Sequence, residues 1–426
     1  FFEAMRKENL GQARMVAFGS TRRHQFQPAD EPILQGIVKC GAPVACIFGK
    51  SWDFHVEHAL KISLEENLIL VEDSLKYLKD HLQEVFFDAE HFFDGYKRNK
   101  AYAIQVLQAA QRAGVDAIVL CDTNGGTLPF EVEQIVGEVK QMIATPLGIH
   151  AHNDAECAVA NTLSAVKAGV SQIQGTINGY GERAGNANLC SILPALKLKM
   201  GLDCMTTEQL VRLTEISRHV SEIANLPHNS HYPYVGMSAF AHKSGMHVSA
   251  IAKDSETYEH IRPAAVGNYQ RVLISEQSGV SNIAYKAKDL GIDLNAKDPK
   301  IKALLAEIKD LEQAGYQFEE GEASFELMLR RAAGHYQPFF ELMGFRIIND
   351  QQGEDYVIEA TVKLKIDGEV IHTAGEGNGP VSAMDHAFRK ALVKKYPHVN
   401  EIHLTDYKVR VLNSKEGTDA KVRVII

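Results

Sequence analysis

Cysteine is sparse and lopsided: six residues, at 40, 46, 121, 157, 190 and 204, with none in the second half of the chain. No two form a C-x-x-C pair, so free thiols in a reducing, cytoplasmic setting are expected. Positive charge is not in excess either. Forty-five Lys and Arg against 54 Asp and Glu give a net charge of −9, which argues against nucleic acid as the main partner. No run of 18 apolar residues occurs, so no segment is expected to span a membrane. The chain also lacks an initiating Met. Its opening, FFEAMRKENLGQAR, reads as an amphipathic helix entered without a capping residue, not as a signal peptide. An amino-terminal piece preceding Phe1 is therefore expected. What remains is the composition of a globular protein, 45% hydrophobic and 23% charged, with 426 residues for two or three domains.

The first 200 residues alternate short apolar runs with longer helical patterns. The strand candidates are 15–20, 44–50, 84–91, 117–123, 147–152 and 171–179. Helical stretches such as HVEHALKISLEENL, YAIQVLQAAQRAG, FEVEQIVGEVKQMI and ECAVANTLSAVKAG separate them. A spacing of about 30 residues suits βα units around a parallel sheet. Six units in a row favour a (β/α)8 barrel over an open doubly wound sheet, and the preceding piece would supply the first two strands. Polar residues gather at the strand ends: Ser20, Lys50, Asp88 with Glu90, Asp122 with Thr123, His150 with His152, and Asn178. Barrel enzymes build their sites on that rim. Residues 1–200 are thus the barrel domain. Residues 201–320 read as a mostly helical linker region, with 227–251 loop-like. Residues 321–426 read as a small α+β domain, whose Asp367-Gly368 marks a hairpin and whose carboxyl end stops inside a strand.

On a strand, His150 and His152 point to one face, so two imidazoles could grip one divalent ion; the plain alternative is two histidines bonded to backbone and water. The following loop, Asn178 to Asn186, is glycine-rich enough to close tightly over a ligand. Glu182 and Arg183 are its charged members, and Asn186 offers a hard oxygen or an ordinary helix cap. Glu90 could position a substrate or move a proton. Asp88 reads as a rim salt bridge. Thr123 could donate to a substrate carboxylate, or it and Asn124 could cap a helix. His242, His247 and Tyr258 lie outside the barrel, and taken alone the two histidines read as surface or capping residues. GEGNGP (375–380) reads as a turn with Pro380 near a helix start, in preference to an anion site.

Four segments in order, LCDTNGGTLP, GIHAHND, QGTINGYGERAGNANL and SAFAHKSGMH, resemble the 2-isopropylmalate, homocitrate and citramalate synthase family over nearly the whole chain. AFGSTRR, FGKSWDFHV and FDAEHFFDGYK are most similar to its citramalate branch. The resemblance implies a metal-dependent condensation of acetyl-CoA with a small 2-keto acid. It places His150, His152 and Asn186 as ligands of Mg²⁺, Mn²⁺ or Zn²⁺, and Glu90, Thr123 and Arg183 at the keto acid. It makes Glu90, His247 and Tyr258 catalytic. It also implies a homodimer whose carboxyl-terminal domain takes a branched-chain amino acid as feedback inhibitor. The family's Arg-Asp-Gly motif, which supplies a further metal ligand, does not occur here and is expected in the preceding piece. Related lyases place a Cys in the glycine loop, and NGYGERAGN has none. A non-catalytic metal- or amino-acid-binding protein is the remaining alternative.

Overall fold

A computed structural model describes residues 1–274, 278–294, 297–318, 321–352, 355–405 and 407–426. They form two compact units, Phe1–Phe240 with Glu259–Tyr269, and Ala241–Tyr258 with Gln270–Ile426.

In the first unit, the six apolar runs become β1 (Val16–Ser20), β2 (Val44–Lys50), β3 (Glu84–Glu90), β4 (Ala117–Asp122), β5 (Leu147–Ala151) and β6 (Gln172–Gln174). All pair in parallel and in chain order. The order never reverses, so the sheet has no switch point of the doubly wound kind; it winds one way, as a barrel does. Among the described residues it has six strands, not eight, and β1 and β6 each have one neighbour. Strand periodicity sorts the side chains. Ala45, Ile47, Val85, Phe87, Ala89, Ile118, Leu120 and Ile149 join the helices in one core. The intervening Cys46, Lys50, Asp88, Glu90, His150 and Gln174 share the opposite face. At about 25 cal/mol per Å² of apolar surface buried, the helix-packed face is what holds the polar face in place.

Some expected elements are shorter. The amino-terminal helix is a single turn, Phe2–Met5. HVEHALKISLEENL is not one helix: Lys61 is left-handed, with φ 58°, and the chain restarts at Ser63, whose side chain caps Leu64–Lys79 by accepting from Glu66 N. β6 spans three residues. Beyond it Gly175 passes close to Ala187, and a Cβ there would lie 2.6 Å from the Ala187 carbonyl.

In the second unit, β7 (Ala241–His242) pairs with β8 (Arg271–Val272), and Gly245–Ile251 is a helix. The stretch read as loop is therefore partly ordered structure, and it carries His247. Helices Val280–Asp289, Pro299–Gln313 and Glu322–Ala333 bury Ile283, Ile301, Leu304, Phe325 and Leu329 together. Next come β9 (Glu341–Gln352), β10 (Asp355–Ile366) and β11 (Glu369–Gly377), antiparallel in the order β11-β10-β9. Asp367 and Gly368 both have positive φ, 49° and 88°, as a tight hairpin requires. Helix Pro380–Leu392 lies on β10 and β11 through Ala383, Ala387 and Ala391. Pro380 is its first residue, as expected. Gly375 and Gly377 belong to β11, however, not to a turn. A Cβ at Gly375 would stand 2.5 Å from Ala387 N, so glycine is what lets the helix settle. Lys408–Val411 forms β12, paired with β13 (Val422–Ile425). No helix among them is long and apolar enough to cross a membrane.

Candidate active site

β5 ends just short of His152, which continues the extended path through a bridge to Asn186. The two imidazoles converge as the alternation predicts: His150 Nε2 and His152 Nε2 are 3.2 Å apart. Behind them, His150 Nδ1 meets Gln174 Oε1 at 2.7 Å, while Arg183 Nη2 lies 2.9 Å from His152 Nδ1. Burial, then His150 and Arg183, hold His152 below the usual histidine range, which keeps it unprotonated near neutrality.

The glycine-rich loop carries Asn186. Asn178, Gly179, Arg183 and Gly185 all have positive φ, and Asn186 N donates to Gly179 O at 2.9 Å. A Cβ at Gly181 would sit 2.6 Å from Asn186 Oδ1, and one at Gly185 would sit 2.1 Å from Gly179 O. Asn186 is not a helix cap; Asn188 caps the helix Leu189–Pro194. Its Oδ1 is buried with no hydrogen-bond partner. An orphaned amide oxygen is costly, and here it belongs to a residue whose backbone bridges to His152. Two nitrogens and one such oxygen fit a divalent ion of intermediate hardness. No cluster of three or more His, Cys, Asp or Glu suited to a metal occurs among the described residues.

Glu90 is ion-paired with Lys50, its register partner on β2. Thr123 does not cap a helix, and neither does Asn124: the helix Pro129–Lys140 starts at Leu128, whose N–H is met by Glu131. Instead Thr123 Oγ1 accepts from His91 N at 2.8 Å, which leaves its own hydrogen to donate. Arg183 spans Asp154, at 2.7 and 2.9 Å, and the Thr123 carbonyl at 2.7 Å. Asp88 is not a rim salt bridge. It is only 4% exposed, and it accepts from Gln174 Nε2 at 2.8 Å and Cys46 Sγ at 3.0 Å. Burial pushes its carboxyl up, against those bonds and the nearby His150. Burial and then Asp88 push the Cys46 thiol up. Sequence reading placed Lys50 on the strand-end rim but missed Gln174 and Cys46 as members of this group. The one available signal was strand pairing, since a six-strand parallel register sets Gln174 beside His150.

His247 and Tyr258 fall in the second unit. Their rings stack, with centroids 4.0 Å apart and planes 27° apart, and His242 stands 6.5 Å from Tyr258.

Residues 3–220 match the HMGL-like family model, 234–316 the homocitrate synthase post-HMGL domain-like model, and 320–426 the LeuA allosteric (dimerisation) domain. The (R)-citramalate synthase of Geobacter sulfurreducens is 56% identical over all of this chain and 81% of its own length. The chain belongs to the (R)-citramalate synthase family. The Aquifex aeolicus member is 51% identical over the same shares. The 2-isopropylmalate synthase of Methanocaldococcus jannaschii stands further off, at 32% over 91% of this chain and 73% of its own. As in that family, an α/β barrel-type domain is followed by the post-HMGL and LeuA domains, and the chain is a condensing acyltransferase. Among solved structures, the Bacillus subtilis HMG-CoA lyase covers 52% of this chain and 73% of its own at 19% identity and a TM-score of 0.43.

Proposed function

We propose that the chain joins acetyl-CoA to pyruvate and, with one water, releases (R)-citramalate and CoA, in the isoleucine branch of amino-acid biosynthesis. The observation that carries this reading is the approach of His150 Nε2 to His152 Nε2 beside an unpartnered oxygen on Asn186, whose backbone bridges to His152, together with identity to (R)-citramalate synthases across the whole chain. A divalent ion held by those three side chains would polarise the keto carbonyl. The chain's own groups do the rest. The Thr123 hydroxyl, with its hydrogen free, donates to the keto-acid carboxylate. Arg183 supplies a guanidinium for the same carboxylate, the pairing at which a planar fork excels. Glu90, neutralised in part by Lys50, orients the acid. His247, held by Tyr258, takes a methyl proton from acetyl-CoA, and the carbon so freed attacks the keto carbon. Water then cleaves the thioester, which makes the sequence irreversible in practice.

The LeuA-type domain supports pairing of two chains and binding of a branched-chain amino acid. Its helix lies mainly on β10 and β11 and meets β9 only marginally. Phe345 and Ile347 are register partners of the buried Val362 and Ala360, so they share that face, yet they are 60% and 39% exposed. A second copy is the occupant this apolar shelf suits.

The test is release of CoA thiol from acetyl-CoA and Mn²⁺ with pyruvate, 2-ketoisovalerate or 2-ketoglutarate. Pyruvate should be preferred. One methyl group in a pocket shifts binding by only about 1–3 kcal/mol, so the comparison must be of kcat/KM. Release with none of the three acids defeats the synthase reading, and an active His152→Ala variant defeats the site.

A further inference from the structure

We propose that Gln174, oriented from behind by Asp88 and Cys46, is a positioning residue that fixes which nitrogen of His150 is presented to a metal ion. The inference rests on reading His150, His152 and Asn186 as the metal site. It concerns three side chains that the condensation itself does not use.

β6 runs parallel to β5 with Gln174 in register with His150, so both side chains rise from one face of the sheet. Gln174 Oε1 lies 2.7 Å from His150 Nδ1. An amide oxygen can only accept, so Nδ1 carries the hydrogen and Nε2 keeps its lone pair. That free nitrogen is the one turned to His152 Nε2 at 3.2 Å.

The amide could do the opposite if it were turned over, and the groups behind it prevent this. Gln174 Nε2 is 2.8 Å from Asp88 Oδ1, and Cys46 Sγ donates to the same oxygen at 3.0 Å. A turned amide would set its oxygen against the carboxylate and its N–H groups against the ring. Asp88 and Cys46 are 4% and 6% exposed, so water cannot relieve the conflict; buried polar groups must find their partners within the protein. The row Cys46 and Gln174 to Asp88, then His150 to Gln174, therefore has a single direction. This is the outer-shell arrangement that sets the tautomer of a ligating histidine, built here from an amide, with a buried carboxylate one step further back.

The test uses Mn²⁺ binding by calorimetry and the nitrogen-15 shifts of the His150 ring in metal-free protein. In the unaltered chain His150 should be the Nδ1–H tautomer. Gln174→Leu should weaken Mn²⁺ binding by about 10- to 100-fold and give a mixture of tautomers. A simple packing role would lower thermal stability but leave the tautomer unchanged. The double variant Gln174→Glu with Asp88→Asn keeps the direction of the row, because the new carboxylate accepts from His150 and the new amide donates to it. It should regain most of the affinity, and it covers the case in which Gln174→Leu does not fold. Mn²⁺ binding that is unchanged in Gln174→Leu, or lost in the folded double variant, overturns the proposal. A His152→Ala variant separates the two layers: if it binds Mn²⁺ as the unaltered chain does, the metal site itself is misassigned.

Discussion

His152 is held below the ordinary histidine range chiefly by burial, and so are His55 and His228. The unfolded chain takes up these protons near pH 6.5, while the folded protein takes them up only at lower pH. Stability is therefore fully present above about pH 6.5 and falls as the pH drops toward the depressed folded values. Thermal midpoints of metal-free protein should decline between neutral and mildly acid buffers, and His228→Gln, away from the metal ligands, should flatten that decline. A midpoint that rises with acidity would contradict the buried, neutral imidazoles. Asn186 gives a second prediction at this scale. Its Oδ1 has no partner in the protein, so Asn186→Ala removes the proposed metal ligand without breaking a hydrogen bond at that atom. Mn²⁺ binding should weaken by about tenfold or more, with the thermal midpoint of metal-free protein unchanged or raised.

The element that governs the site is the loop from Asn178 to Asn186, and its geometry is set from both ends. Asn178 is buried and bonded to the helix Leu213–Ile223 through the Ser217 carbonyl at 2.8 Å and Ser221 Oγ at 3.0 Å. Tyr180 OH reaches Ser221 Oγ at 3.0 Å. At the other end Gly185, with φ 95°, lies where a Cβ would meet Gly179 O at 2.1 Å. Gly185→Ala should cost about 1–3 kcal/mol, read as a lowered denaturant midpoint, and should weaken metal binding because Asn186 follows directly. An alanine variant of unchanged stability and affinity would show that the loop has room the structure does not display.

Across the whole molecule, the bare apolar shelf on β9 carries the proposed pairing of chains. Phe345→Asp puts a charge on that face. Light scattering after size exclusion should move from a dimer toward a monomer, and a dimer that persists would place the interface elsewhere. The cost of burying an unpaired carboxylate is several kcal/mol, enough to separate partners held by a modest interface.

Much of the first unit was legible in the residue order. Apolar runs at regular spacing gave six parallel strands, and a period of two put His150 and His152 on one face. Asp-Gly gave the hairpin, and the ordered motifs gave the family. These are local consequences of backbone geometry and side-chain alternation, which neighbours in sequence suffice to determine. Other features were decided only in three dimensions. Asp88 was expected at the rim and is buried, because its surroundings come from Gln174 and Cys46, 86 and 42 residues away. Gly375 was read as turn and is a contact surface, because the helix that needs the space arrives later in the chain. Polar pairs and close approaches depend on which strands become neighbours. That choice follows from how the whole chain packs its apolar surface, and no single stretch of residues contains it.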